Sequence, residues 1–408
     1  MSQIDAPRDG APPAYSSAPA RAPRPSSGAW WNDQHVRSLL YQALVLIGVV
    51  ALFGWFIANA VDNMTRANIA TGFGFLGREA GFGISEALIE YSPADTYGRA
   101  MMVGFLNTLK VAILGCVLTT ILGTFLGVLR LTRNPLMSKL LNAYIEVVRN
   151  VPLLLQLFFW YTILLQLPQP RQALNPVDGV FLSNRGMRVP GLVLDERHWF
   201  VAIAFVLGVT LTVILKRRAR RLQEATGERT STLLPALGLI FGLPLVVGLA
   251  VGAPFQLDVP ELTGFNFNGG LSMSPEFTAL LIGLTIYTSA FVAEIVRAGI
   301  QAVGKGQWEA ASALGITRGT ILRLIVLPQA LRIIIPPMTS TYLNYTKNSS
   351  LAIAIGYPDL VSVSGTTMNQ TGQAVEAIAI FMSVYLILSL LISAFMNWYN
   401  RHIALKER

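Results

Sequence analysis

An all-α, polytopic membrane protein of about eight transmembrane helices is the fold class this sequence predicts, on three observations. The 408 residues are 53% hydrophobic and only 13% charged, with a mean hydropathy of +0.52, against about 25% charged residues in a typical soluble domain. Eight apolar stretches approach the roughly 20 residues that a helix needs to cross hydrocarbon. Lys and Arg collect in alternate loops, as they do in the cytoplasmic segments of membrane proteins.

Residues 1–29 are rich in Pro, Ala, Ser and Gly. They hold too few large apolar groups to offset the entropy of ordering and read as a disordered cytoplasmic tail. Residues 30–100 comprise a first span, about 39–60, and an outer segment. Ala58-Asn59-Ala60 resembles a signal-peptidase site, but the polar region before it is too long for a signal peptide, so an uncleaved span is expected. In the outer segment Ile84, Leu88 and Tyr91 recur near helical spacing, which fits either a short interfacial helix or a connecting loop. Residues 101–400 hold the remaining spans, about 101–129, 150–167, 198–215, 232–253, 276–300, 331–356 and 374–397, and 401–408 form a cytoplasmic C-terminal tail. Within that region 168–275 reads as an insertion: an outer loop, two spans and a basic inner hairpin, KRRARRLQEATGERT, of a kind that anchors topology beside anionic lipid. The pairs Gly123/Gly127, Gly238/Gly242 and Gly248/Gly252 are spaced for close helix packing.

Orientation follows from the cations. Arg130, Arg133, Lys139 and Arg149 follow the second span; Lys216, Arg217, Arg218, Arg220 and Arg221 follow the fourth. Lys305, Arg318, Arg323 and Arg332 lie between the sixth and seventh, and Arg401, Lys406 and Arg408 follow the eighth, whereas 253–276 and 357–376 contain neither Lys nor Arg. Both termini are therefore expected in the cytoplasm. Arg171, Arg185, Arg188 and Arg197 run against this assignment and are partly offset by Asp178, Asp195 and Glu196. The net charge of +9 is then a topology signature; a nucleic-acid surface would need a soluble basic domain that the sequence lacks. The single cysteine, Cys116, excludes an intrachain disulfide and reads as a small packing residue within a span.

Between the sixth and seventh spans lies a polar interruption, GKGQWEAASALGITRGTILRLIVLP, at Gly304–Pro328. Gln307–Leu314 reads as a short amphipathic helix able to offer a compact surface to a soluble partner. Glu309 supplies a charge, Ala310 and Ala311 allow close approach, and Gly315 lets the chain turn sharply. Pro328 and Pro336-Pro337 are expected to break the helix on re-entry.

In order and spacing, Glu309, Ala310, Ala311, Gly315, Ile325, Leu327 and Pro328 resemble the EAA loop of the membrane subunits of bacterial ATP-driven importers. GFLNTLKVAILG at 104–115, VVRNVPLLLQLFFWY at 147–161, LPQALRIIIPP at 327–337 and KNSSLAIAIG at 347–356 extend the match. Together they are similar to permeases of the polar amino-acid uptake branch of the ABC importers. The long outer segment and the insertion resemble the longer permeases of general L-amino-acid systems. The resemblance implies a type I ABC importer permease fold, multi-pass in the bacterial inner membrane, moving amino acids. It implies two ABC ATPase subunits docked on the EAA coupling helix through Glu309, Ala310, Ala311, Gly315, Leu327 and Pro328. A second related permease or a second copy of this chain, and a periplasmic amino-acid-binding protein, would complete the importer. No cofactor is expected in this chain, which is not read as an enzyme; ATP and magnesium belong to the partner ATPases. GIQAVGK at Gly299–Lys305 nearly satisfies a phosphate-binding loop, but Gly306 stands where Ser or Thr must bind magnesium and a span precedes it.

An amino acid crossing hydrocarbon needs polar partners, and intramembrane polar residues are candidates for the role. Asn107, Glu294, Asn344, Tyr345, Lys347, Asn348 and Ser349 qualify. Each has a structural alternative. Glu294 and Arg297 stand one helical turn apart and can pair, Asn344–Ser349 can satisfy backbone freed by the prolines, and Asn107 and Lys110 can lie at the outer boundary. The rival function is an ion-coupled secondary amino-acid transporter, which usually shows acidic or His relays within its spans; acids at such positions are few here.

Overall fold

The computed structural model describes residues 34–66, 71–132, 134–193, 195–227, 231–252 and 256–403. The expected tail at 1–29, Arg133, Lys406 and Arg408 lie outside the described residues. The chain divides into two units, Met1–Ala70 and Thr71–Arg408. Of the first, α1 (Gln34–Arg66) is described, a 33-residue helix that runs through Ala58-Asn59-Ala60 without interruption.

The second unit is mostly helical. It opens with a loop that includes a short 3-10 turn at Phe73–Gly77 and no helix over Ile84–Tyr91, so the connecting-loop alternative holds for the outer segment. Then follow α2 (Tyr97–Leu129), α3 (Pro135–Asn150) and α4 (Leu153–Leu165). The third expected span, 150–167, needs correction: α4 has 13 residues, about 20 Å of rise, too short to cross unaided. Pro152 forces Val151 into extended backbone (φ −87°, ψ 129°), and α3 and α4 meet at a 104° bend. Among the described residues, seven helices are long and apolar enough to cross a membrane, or eight if the bent pair is one crossing.

The insertion holds small sheets that the sequence reading missed. Strands β1 (Leu174–Val177), β2 (Val180–Ser183), β3 (Gly186–Val189) and β4 (Gly191–Leu192) precede α5 (His198–Thr226), α6 (Leu233–Leu237), a π turn at Gly238–Gly242 and α7 (Leu243–Val251). Strands β5 (Leu257–Asp258), β6 (Glu261–Thr263), β7 (Asn266–Asn268) and β8 (Leu271–Met273) follow. The order β1-β2-β3-β8 makes one antiparallel sheet, and β4 pairs with β5. Chain leaving for α5 and chain returning from α7 are thus clasped together. The basic run at Lys216–Arg221 is helical, the last third of α5, and not part of a loop.

Next come α8 (Pro275–Gln301), α9 (Lys305–Ala313), α10 (Arg318–Ile321), a π turn at Leu322–Val326, α11 (Leu327–Asn348), α12 (Leu360–Thr371) and α13 (Ala374–Ile403). Ser274 caps α8 by accepting the Phe277 N–H at 3.0 Å. The centre of the unit is α8 against α2, where glycine permits close approach. A Cβ on Gly123 would sit 2.5 Å from that of Val292, and one on Gly127 would sit 2.7 Å from the Ala293 carbonyl. Gly238 and Gly242 face no neighbour; in the α5–α7 hairpin it is Gly208 that meets backbone, at Leu239 and Ile240. Gly299, within the near phosphate loop, is a packing residue against Ile334.

The seventh span also departs from expectation. Pro336 and Pro337 lie inside α11 without breaking it, because α8 and α13 pack along its sides and neighbouring helices stabilise such a segment. Pro328 follows a π turn in which the Leu327 N–H reaches Leu322; the widened turn accommodates the missing donor.

Candidate functional site

Two groups of predicted residues occupy one run of chain, Lys305–Ile355. The first is α9. It spans Lys305–Ala313, against 307–314 from sequence. The helix ends where Gly315 turns at φ +73°, a left-handed conformation that L side chains resist. Ile316 N–H then donates to Ala311 O at 3.2 Å, and Gly315 N–H to Ser312 O at 3.0 Å. These bonds satisfy carbonyls left open at the helix end.

The two alanines of the motif part company. Ala311 is buried in a cluster with Val303, Ile321, Val326 and Ala330, so only Ala310 faces outward; the expectation that both lie open to a partner is corrected. Glu309 is exposed and, among the described residues, makes no ion pair within 4.0 Å. It borders a cleft of about 630 Å³ with Trp308, Ser312, Arg318, Gly319 and Leu322. Leu314 projects from the helix end, 79% exposed. Leu327 and Pro328 are exposed at the start of α11. The surface combines one unneutralised carboxylate, a small residue and an apolar tip, features suited to docking.

The second group lies about three to six turns beyond Leu327 and Pro328 along the same run. Ser340, Asn344 and Lys347 are exposed on α11 at helical spacing, with Asn348 half-buried beside them. Polar groups at membrane depth do not face hydrocarbon cheaply, so this stripe marks a protein-facing or water-facing surface. Lys347 and Ser350 border a cavity of about 370 Å³ with Val361, Phe381, Met382 and Tyr385. Tyr345 and Ser349 point the other way. Tyr345 is buried in the core, its ring filling the space left by Gly115, and the Ser349 hydroxyl donates to Thr346 O at 2.7 Å.

Asn107 and Glu294 stand apart from both groups. Buried Asn107 donates through Nδ2 to Glu86 O at 2.7 Å and Pro358 O at 2.9 Å, tying α2 to the outer loop and to the start of α12. Glu294 pairs with Arg297 and with Arg130, and Arg130 also reaches Asn142. The pairing alternative for Glu294 therefore holds, with Arg130 as a partner that spacing could not reveal. The sequence reading also missed Asp359 and Tyr385. Asp359 caps α12, accepting the Ser362 N–H at 2.8 Å, and Tyr385 OH donates to it at 3.3 Å. An aspartate directly before Leu360-Val361 is itself a helix-start signal.

The family model of binding-protein-dependent transport system inner membrane components matches residues 229–408. The chain is 52% identical, over 91% of its length and 95% of the other's, to a putative amino-acid ABC transporter permease protein, YhdX, of Escherichia coli (strain K12). It is 48% identical, over 94% of its length and 98% of the other's, to the general L-amino acid transport system permease protein AapQ of Rhizobium johnstonii. It is 42% identical, over 92% and 96%, to the glutamate/glutamine/aspartate/asparagine transport system permease protein BztB of Rhodobacter capsulatus.

Proposed function

This chain belongs to the amino-acid ABC transporter permeases, and from that premise we propose that it carries amino acids across the bacterial inner membrane by coupling its α11 to partner ATPases through α9. Membership replaces the ion-coupled alternative. The permease has the type I importer fold of its family, and the energy comes from two partner subunits that hold ATP and magnesium. A second related permease or a second copy completes the pathway, and a periplasmic binding protein delivers substrate of the general L-amino-acid class. Both termini and α9 lie in the cytoplasm on this reading, supported by the Lys and Arg distribution.

The observation that carries the mechanism is continuity. Ala311 is packed on Val326 and Ala330, and Arg318–Ile355 is one helical run. Movement of α9 with an ATPase is thereby delivered to the Asn344–Lys347 stripe without a flexible joint. Glu309 and Leu314 take the ATPase; Asn344, Lys347 and Asn348 line the path; Tyr345 and Ser349 hold α11 in register; Asn107 and Glu294 position neighbouring helices. Closure of the ATPases on ATP would tilt the permease pair outward-open, and hydrolysis would reset it.

The test is reconstitution of the complete importer in proteoliposomes, with ATP inside and binding protein and labelled amino acids outside. Glu309→Lys and Ala311→Leu are each expected to lower uptake more than about tenfold, the loss of roughly 1.4 kcal/mol of coupling, while membrane insertion is unchanged. Wild-type uptake in both variants would refute α9 as the coupling element.

A further inference from the structure

The α5–α7 hairpin takes no part in the mechanism above, yet its surface is organised. The side of α5 turned to α6 and α7 is a stripe of small residues, Ala204, Gly208 and Thr212, all buried, continued by half-buried Ala219. At about 100° per residue, Lys216, Arg217, Arg218, Arg220 and Arg221 fall within an arc of about 200° that leaves out Ala219. All five are exposed. They continue the face on which Phe200, Val206 and Val213 are exposed higher up the helix.

Spacing along the axis is equally informative. From Trp199, 73% exposed, to Lys216 the helix rises about 26 Å, close to the roughly 30 Å of bilayer hydrocarbon. The cations therefore begin where acyl chains end and headgroups start, directly beneath the apolar face. Among the described residues their one carboxylate partner is Glu224, 3.2 Å from Arg220 in a largely exposed pair. Several like charges within two turns lie inside one screening length of each other, and they call for anions from outside the chain.

We infer that this arc is a binding site for anionic phospholipids. The guanidinium and ammonium groups take the headgroup phosphates while the acyl chains lie along the apolar face of α5. Alignment of the cations with the hydrocarbon-facing side is what favours lipid: an acidic protein docking in water would not require it. The site depends only on α5 crossing a bilayer, and so stands apart from the coupling role of α9.

The test uses the full chain in nanodiscs of equal parts phosphatidylglycerol and phosphatidylcholine, with lipids retained through purification counted by mass spectrometry. The wild type is expected to retain phosphatidylglycerol over phosphatidylcholine by about tenfold or more, a preference that falls as salt is raised. Replacing all five cations by Gln should bring the ratio near one, whereas Arg217→Lys, Arg218→Lys, Arg220→Lys and Arg221→Lys together should keep it. A salt-insensitive wild-type preference, or a Gln variant that keeps the wild-type ratio, overturns the proposal even if that variant folds poorly. Displacement of the lipid by inorganic phosphate would overturn it in favour of a free-anion site. Loss of a co-purifying ATPase with lipid retention unchanged would overturn it in favour of a protein-docking surface.

Discussion

Glu86 sits where three segments of the chain meet. Its carboxylate pairs with Lys110 on α2 and accepts from the Ser274 hydroxyl, at 2.6 Å, at the head of α8. Its carbonyl accepts from Asn107. Little of the pair is exposed, 17% for Lys110 and 12% for Glu86, so removing one member leaves a charge uncompensated. Glu86→Ala should destabilise the protein by about 3 kcal/mol, read as a fall in melting temperature in detergent; Glu86→Gln should cost less. Asp359 makes a second residue-scale prediction. Burial pushes its carboxyl up to about 7, against the lowering effect of the Ser362 and Val361 N–H groups and the Tyr385 hydroxyl. The folded value lies above the unfolded one, near about 3.9. Between the two the folded state holds the proton more tightly, so stability falls as pH rises from about 4 through about 7, by a total of order 4 kcal/mol. Wild type should melt at a higher temperature at pH near 5.5 than near 8, and Asp359→Asn, which keeps a side-chain oxygen for the cap, should flatten that slope. Neither residue stood out in the sequence. An outer-loop glutamate and an aspartate after Tyr-Pro become important only when segments far apart in the chain converge on them. Lys347 and Asn344, by contrast, were legible as polar residues in an apolar run.

At the scale of elements, what is coded locally was legible and what is coded by partners was not. The α9 boundaries follow from Gly304 and Gly315, and the turn at φ +73° is where glycine was expected. The inward role of Ala311 was hidden, because an alanine reads alike whichever way it faces. The kink between α3 and α4 was written as Val151-Pro152, but it went unread because α3, with Lys139, Glu146 and Arg149 along it, was not recognised as a helix. Strands of two to four residues are too short for alternation to register, and β3 finds β8 only across the whole hairpin. Glycine spacing marked Gly123 and Gly127 for close packing without naming the partner, which is α8, and in the hairpin it marked Gly238 and Gly242, which face no neighbour. A Cβ on Gly208 would run into the Leu239 carbonyl, whereas one at Gly238 would meet nothing within 4 Å. Gly208→Ala should therefore push α5 away from the π turn at Gly238–Gly242 and lower thermal stability by about 1–3 kcal/mol. Gly238→Ala should be neutral or stabilising by up to about 1 kcal/mol. Equal melting temperatures for the two would count against this packing.

Whole-molecule organisation turns on the count of crossings, since the bent α3–α4 pair decides between seven and eight. Within residues 71–403, counting the bent pair as a crossing puts the Tyr97 end of α2 on the same side as the strands, with α9 and the basic end of α5 on the other. In a Cys116→Ser background, single cysteines at Ala313 and Gly227 should react with an impermeant thiol reagent only from the cytoplasmic face, and one at Phe265, 72% exposed, only from the opposite face. Phe73→Cys, 56% exposed in the wild type, and Phe265→Cys should react from one face if the α3–α4 pair crosses, and reaction of the two from opposite faces would exclude the eight-crossing arrangement. The long apolar helices were legible because hydrophobicity acts residue by residue; the sheets were not, because they depend on which strands are brought together. The β4–β5 clasp gives the insertion a separable character. Leu192 and Leu257 are paired neighbours, about 5 Å apart as adjacent strands are, so the α5–α7 hairpin between them forms a cassette whose ends already touch. A short turn joining those strands would close the chain over the excised cassette, leaving a shorter permease that retains its outer sheet.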